Sequence, residues 1–165
     1  MPGASAVSLR GIGPVLVGMT VSQASKAAAV ALVADGLPDP DSECGFVHPK
    51  GGRPKGLSFM VTGASDEEGE AGQTDRIARV DVDSTVFKTR SGMGVGNTEA
   101  EVKAAYPDRI KVEPHKYVDE GHYLVYQPQD AADARFGLVF ETDGTKVTSF
   151  RAGRQPEVGW VEGCS

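Results

Sequence analysis

The chain has few aromatic residues, few cysteines and no excess of positive charge. Aromatic residues make up 7% of its 165 residues, there are two cysteines, and the formal net charge is −6. Because nucleic acids and anionic membranes are bound through a basic face, this charge argues against both as partners. The sequence also has no run of 18 apolar residues, so we expect no transmembrane segment.

Glycine and proline are abundant instead. The chain has 21 glycines and 10 prolines, which together make 31 of its 165 residues. Such a composition predicts many turns and short helices. Hydrophobic residues still make up 39%, which is enough to build a core. We therefore expect one compact domain.

The two cysteines bear on the compartment. Cys44 and Cys164 lie 120 residues apart, and Cys164 is the penultimate residue. We expect a disulfide between them, because a free thiol at a chain end is a liability; the alternative is two buried free thiols in a cytosolic protein. A disulfide predicts a secreted, periplasmic or cell-surface protein. Residues 1–6 lack the features of a secretory signal, so a lipid anchor is expected only if a native N-terminus has been removed.

Two segments of the chain resemble each other. Residues 17–27 read VGMTVSQASKA and residues 95–105 read VGNTEAEVKAA. Thr20 is followed three residues later by Gln23, and Thr98 by Glu101, which is the spacing of a capping box at a helix start. The sequence therefore predicts helices over residues 21–34 and 99–106, each beginning after its threonine.

Strand patterns follow each predicted helix. They cover residues 44–48, 57–62 and 76–82 in the first half, and 109–113, 122–127, 136–142 and 146–151 in the second. Asp143-Gly144 predicts a two-residue hairpin turn between the last two strands. We therefore expect an α+β fold in which two related halves, residues 1–83 and 84–165, each carry a short capped helix and an antiparallel meander. Both halves would share one domain.

This layout resembles two known groups of bacterial proteins. The Gly-Met-Thr at residues 18–20 before a capped helix, the doubled half and the meander are similar to small secreted proteins of the beta-lactamase-inhibitor-protein type. They are also similar to the domain of outer-membrane assembly lipoproteins. The resemblance implies a helix packed on an antiparallel sheet and a protein that acts by binding another protein. The cysteine pattern departs from the inhibitor family, which typically bridges each half internally, whereas this chain has one cysteine in each half.

Motifs for catalysis, cofactors and metals are weak. Residues 91–98 are glycine-rich but lack both dinucleotide and P-loop spacing. No calcium loop is complete, and the three histidines lack metal-ligand spacing. There is no Gly-x-Ser-x-Gly elbow. We therefore expect no enzyme, no cofactor and no metal.

The most suggestive stretch is residues 113–123, which concentrates two histidines and two tyrosines beside a turn. Such side chains give rigid amphipathic contacts, and arginines near the C-terminus offer forked donors. The alternative is a hairpin whose rings only pack locally. The predicted partner-binding or ligand-binding residues are His115, Tyr117, His122, Tyr123, Arg151 and Arg154.

These observations favour a non-enzymatic exported protein that binds an unidentified protein partner, with inhibitor-like binding as one form of this role. The alternatives are a binder of a small anionic ligand or cell-wall fragment, and then a small hydrolase. A protein binder predicts a broad exposed surface with aromatic residues. A ligand binder predicts a cavity where Arg151 and the histidines converge.

Overall fold

The computed structural model of the chain describes residues 6–34, 44–52, 55–62 and 76–161. Within these ranges the fold is α+β, with two helices and mostly antiparallel sheet. The acidic segment 64–75, expected to be a loop, lies outside the described residues, and so does Cys164. None of the helices in the described ranges has the length and apolar character needed to cross a membrane.

An eight-stranded antiparallel sheet dominates the described part of the chain. Its order is β4-β5-β6-β7-β11-β10-β9-β8, so β7 and β11 meet in the middle. A second sheet contains three short N-terminal strands. The strands are β1 (Val7–Ser8), β2 (Gly11–Ile12), β3 (Val15–Leu16), β4 (Leu32–Ala34), β5 (Cys44–Pro49), β6 (Leu57–Thr62), β7 (Arg76–Val82), β8 (Ile110–Pro114), β9 (His122–Tyr126), β10 (Phe136–Thr142) and β11 (Val147–Arg154).

Both predicted helix starts are confirmed. Helix α1 spans Val21–Ala28 and α2 spans Glu99–Ala105. The hydroxyl of Thr20 accepts a hydrogen bond from the amide of Gln23, and the side chain of Gln23 accepts one from the amide of Thr20. Thr98 and Glu101 form the same reciprocal pair. The reciprocal pair satisfies amides that the helix itself leaves without partners.

The predicted end of α1 at residue 34 is wrong. Ala29 adopts a left-handed conformation with φ 59°, and its amide closes the helix on the carbonyls of Ser25 and Lys26. The chain then turns into β4, where Leu32 pairs with Pro49 of β5. Alanine favours helix at residues 27–31, but pairing in the sheet and burial of Leu32 outweigh that preference.

The hairpin between β10 and β11 is present, but its turn is longer than two residues. Thr142 pairs with Val147, which leaves residues 143–146 in the connection. The side chain of Asp143 accepts from the amides of Thr145 and Lys146. This carboxylate organises a wider turn around Gly144, whose φ is +102°.

The eight-stranded sheet has two chemically different faces. On the first face, alternate residues form the apolar core with side chains from both helices and the N-terminal strands. Phe59, Phe140 and Phe150 of this core are at most 1% exposed. On the second face, a 3₁₀ turn at Glu157–Gly159 packs against β7, β10 and β11. The intervening positions of the central strands point to this second face.

Candidate functional site

The predicted site residues separate into three places. His115, Tyr123 and Arg151 meet on the second face of the sheet, and Tyr117 lies beside them. His122 instead contacts Glu99 at the start of α2. Arg154 contacts Glu157 and Thr62. The last hairpin pairs with β9 through β10, so β11, which carries Arg151 and Arg154, lies one strand away from His122 and Tyr123.

His115 links the turn after β8 to the sheet. Its ring stacks on Tyr123 with the centroids 4.5 Å apart. Its Nδ1 accepts from the amides of Tyr117 and Val118, at 3.0 and 3.1 Å. Because Nδ1 accepts two bonds, the ring proton lies on Nε2, which donates to Glu141 at 2.8 Å.

Arg151 continues this chain of contacts into the middle of the sheet. It is 4% exposed. Its Nε donates to the Val158 carbonyl at 2.6 Å, and its Nη1 donates to Glu141. Its Nη2 is buried and has no hydrogen-bond partner within the described ranges. A buried guanidinium nitrogen without an acceptor is costly, so the neighbouring space favours an acceptor group.

Arg79 and Asp81 of β7 form the second half of the arrangement. Arg79 Nε and Nη2 donate to the two carboxylate oxygens of Asp81, at 2.8 and 3.0 Å. Arg79 Nη1 donates to the carbonyls of Glu157 and Trp160, at 2.7 and 2.8 Å. Burial lowers the pKa of Arg79 and raises the pKa of Asp81, although each partner's charge opposes the shift of the other.

These groups line a polar cavity of about 360 Å³. Register brings them together, because Asp81 of β7 lies opposite Arg151 of β11. The walls of the cavity come from both charged pairs, from two serines and from apolar residues that include Val161. We call it the second-face cavity; its polar walls are Ser58, Arg79, Asp81, Asp83, Glu141, Ser149 and Arg151.

Of the polar wall residues only Arg151 was predicted from the sequence; the charged pair Arg79 and Asp81, and the Arg151 partner Glu141, were not. A signal was available in the alternation of β7, where charged Arg79 and Asp81 alternate with apolar residues. In a strand whose apolar positions are buried, two charges with a spacing of two mark the opposite face. Such charges are usually solvated, however, and the sequence does not reveal the 3₁₀ turn that covers them.

His122, another predicted site residue, contacts Glu99 away from the second-face cavity. Glu99 Oε2 accepts from Thr142 at 2.5 Å and lies 2.7 Å from His122 Nδ1. Burial by itself would raise the pKa of Glu99, but its hydrogen bonds with Thr142 and His122 and the charge of His122 together lower it. These contacts tie the start of α2 to the first residue of β9 and the last residue of β10.

A further cavity of about 290 Å³ lies near the N-terminal strands. Its walls include Tyr106 and Tyr126, whose ring centroids are 5.1 Å apart, and the ion pair of Arg10 with Asp133. The Tyr106 hydroxyl donates to Thr89 of the same wall. None of the buried side-chain polar atoms of this wall lacks a partner within the described ranges, in contrast to Arg151 Nη2 in the second-face cavity. The described residues contain no cluster of three or more groups that would hold a metal ion.

The predicted disulfide joins one described cysteine to one outside the described residues. Cys44 begins β5 opposite Thr62, whereas Cys164 lies outside the described residues. The pairing of the two cysteines therefore stays a prediction.

Comparison with known proteins supports the fold and goes no further. No family model and no curated protein matches the chain. A crystal structure titled as the uncharacterized protein yfeY from Escherichia coli is similar, with a TM-score of 0.54 and 13% sequence identity. The match covers 90% of this chain and 99% of that one. At this identity the likeness defines an α+β architecture shared by the two chains.

Proposed function

We propose that the protein is a non-enzymatic binding protein whose second-face cavity holds a small polar ligand. The supporting observation is the buried Nη2 of Arg151, which has no acceptor within the described ranges and belongs to a residue of the cavity wall. A volume of about 360 Å³ falls within the range typical of small-molecule sites. Of the residues expected to converge in a ligand-binding cavity, Arg151 belongs to this wall. The histidines do not: His115 contacts Glu141 of the wall, and His122 contacts Glu99 elsewhere.

The state of the acidic groups favours binding over catalysis. Both carboxylate oxygens of Asp81 accept from Arg79. Those of Glu141 contact Arg151 and His115. A general base needs a lone pair directed at its substrate. All four carboxylate oxygens of Asp81 and Glu141 already contact groups of the protein itself.

A cavity-filling variant tests the proposal. Ser58→Phe adds a large side chain at the cavity wall without removing a charge, and Ser91→Phe does the same at the N-terminal cavity. We expect small polar compounds that shift the NMR signals of the wild-type protein to shift those of Ser91→Phe equally, and to lose their effect on Ser58→Phe. Equal binding to both variants would overturn the assignment of the cavity.

A second candidate function is binding to a protein through the end of the β8–β9 hairpin. Tyr117 is 63% exposed and Val118 40%, although His115 holds the amides of both in place. Val112 is 41% exposed on β8, which lies at the edge of the sheet. Rigid exposed aromatic and aliphatic side chains beside an open strand suit contact with another protein.

The resemblance to beta-lactamase inhibitors gives this candidate a direct test. If the hairpin acts in that way, the wild-type protein inhibits a purified serine beta-lactamase, and Tyr117→Ala weakens inhibition on the order of tenfold or more. Lys111→Ala, on the same hairpin but away from its end, serves as the matched control. A complete lack of inhibition would exclude the inhibitor-like role and leave the cavity proposal unaffected.

We also propose that the two halves of the chain derive from one ancestral unit. Equivalent backbone bonds support this, since Gly18 donates to Ile77 just before α1 and Gly96 donates to Val147 just before α2. The return bonds match too, because Met19 accepts from Ile77 and Asn97 accepts from Val147. The resemblance to the duplicated inhibitor family is part of the same proposal.

We also propose that the protein is exported from the cytoplasm. This proposal depends on the predicted disulfide bond between Cys44 and Cys164. Alkylation of the unreduced native protein, followed by intact-mass analysis, tests it. We expect no alkylation before reduction and two alkylated cysteines after it. Two modified cysteines before reduction would remove both the disulfide and the main argument for export.

A further inference from the structure

We propose that the ligand of the second-face cavity is recognised through a neutral secondary amide, as found in a peptide or an N-acetylated sugar. This inference rests on the proposed binding function and specifies the chemistry of its ligand. The charge balance of the cavity, the groups that its arginines already bind, and the mixture of donors and acceptors on its walls all point to an amide.

Charge balance disfavours a simple anion. The cavity wall has two arginines, Arg79 and Arg151, against three carboxylates, Asp81, Asp83 and Glu141. Arg79 is paired with Asp81, and Arg151 with Glu141. Because each positive charge already has a negative partner, a carboxylate or phosphate entering the cavity would meet excess negative charge. A neutral acceptor oxygen avoids this repulsion and still satisfies Arg151 Nη2.

The arginines of the cavity already bind neutral amides of the protein itself. Arg79 Nη1 donates to the peptide carbonyls of Glu157 and Trp160, and Arg151 Nε donates to that of Val158. Three carbonyls from one short segment are thus held by two guanidinium groups. Arg151 Nη2 belongs to the same array and has no described acceptor, so an amide carbonyl from a ligand would extend it by one bond.

An amide also brings an N–H group, and the walls provide acceptors for it. The carboxylates and the hydroxyls of Ser58 and Ser149 line the same cavity as Arg151. Ionised carboxylates accept only, whereas hydroxyls both donate and accept. A ligand with one donor and one acceptor matches this mixed wall better than a group that only accepts.

Binding of matched compounds tests the inference. The amide probes are N-acetylalanine N-methylamide for the peptide source and N-acetylglucosamine for the sugar source. Glucose, acetate and inorganic phosphate are the controls without an amide. Two-dimensional NMR of the full-length protein at millimolar ligand follows the backbone amides and the Arg151 Nε–H. We expect at least one amide probe to move the Arg151 signal in a saturable way, and glucose to leave it unchanged.

The cavity variants locate the effect. Ser58→Phe should abolish the shift and Ser91→Phe should retain it; if Ser58→Phe does not fold, Ser149→Val provides a smaller change on the same wall. Saturable binding of acetate or phosphate without binding of either amide would overturn the amide inference and leave the ligand-binding function standing. If none of these compounds bound at millimolar concentration, the amide inference would fall. A wider set of small polar compounds would then test the ligand-binding proposal by itself. That proposal would end if every compound bound by the wild-type protein also bound Ser58→Phe equally well.

Discussion

The two faces of the eight-stranded sheet are held in different ways. The first face is covered by both helices and the N-terminal strands, and its side chains are apolar. The second face is covered at its centre by the 3₁₀ turn at Glu157–Gly159, which arginines hold through its carbonyls. One face depends on many small contacts, and the other on a few directional bonds. A single substitution should therefore act through packing on the first face and through hydrogen bonding on the second.

The largest expected loss comes from emptying the first face. Phe150 is 1% exposed and stacks on Phe140 with centroids 5.5 Å apart. Phe150→Ala should lower the free energy of unfolding by about 3–5 kcal/mol, because it leaves a cavity in a packed core. Urea unfolding followed by circular dichroism measures this, with Val86→Ala, at a 57% exposed site, as the control. A loss equal to that of the control would show that the first face is loosely packed.

The second face should respond to the loss of a single arginine. Arg79→Met keeps much of the side-chain volume but leaves Asp81 and two carbonyls without their donor. We expect a loss of about 3 kcal/mol by the same unfolding measurement, since removing one member of a buried pair strands the other. Arg10→Met, which removes the exposed pair with Asp133, should cost under about 1 kcal/mol. Similar costs for the two variants would contradict the directional role of Arg79.

The helices that cover the first face offer a smaller, matched pair of changes. Thr20→Ala and Thr98→Ala each remove a capping hydroxyl, and each should cost about 1 kcal/mol of unfolding free energy. Similar losses would indicate equivalent helices in the two halves. If only one variant lost stability, the two capping boxes would differ in importance, and the proposed common ancestry of the halves would lose support.

The smallest effect concerns pH. The pKa of Glu99 is lowered in the folded protein, which means that the ionised carboxylate stabilises the folded state. This stabilisation is fully present above the unfolded pKa of about 4.3. It is lost as pH falls through the folded pKa. The difference in melting temperature between wild type and Glu99→Gln should therefore shrink below about pH 4. Asp81 acts in the opposite sense, because its raised pKa favours folding as pH falls. A constant difference across pH 3–7 would contradict the role of Glu99.

Local signals in the sequence predicted the local structure well. Thr20 and Gln23 mark a helix start through contacts three residues apart, and the same holds for Thr98 and Glu101. Alternating apolar residues placed β10 at its observed bounds, Phe136–Thr142. These features could be predicted because the groups that make them are neighbours in the chain.

The candidate site could be predicted only in part. His115 and Tyr123 lie within one hairpin, so a cluster in the sequence became a stack in the structure. Arg151 was predicted as well, but its partner Glu141 was not. Their contact depends on the register of β10 against β11, and the longer turn at residues 143–146 gives a register different from that of the predicted two-residue turn. Arg79 and Asp81 join them because β7 pairs with β11, an arrangement that links strands far apart in the sequence.

The sequence by itself determined the helix starts, the strand alternation and the acidic, turn-rich character of the chain, because each follows from residues within a few positions of one another. Only the tertiary structure decided that α1 stops at Ala28 and that Arg79, Asp81, Glu141 and Arg151 share one cavity. The physical reason is the order of strands in the sheet. Pairing of β7 with β11 desolvates groups that would each be solvated on an isolated strand, and their charges are then satisfied by one another.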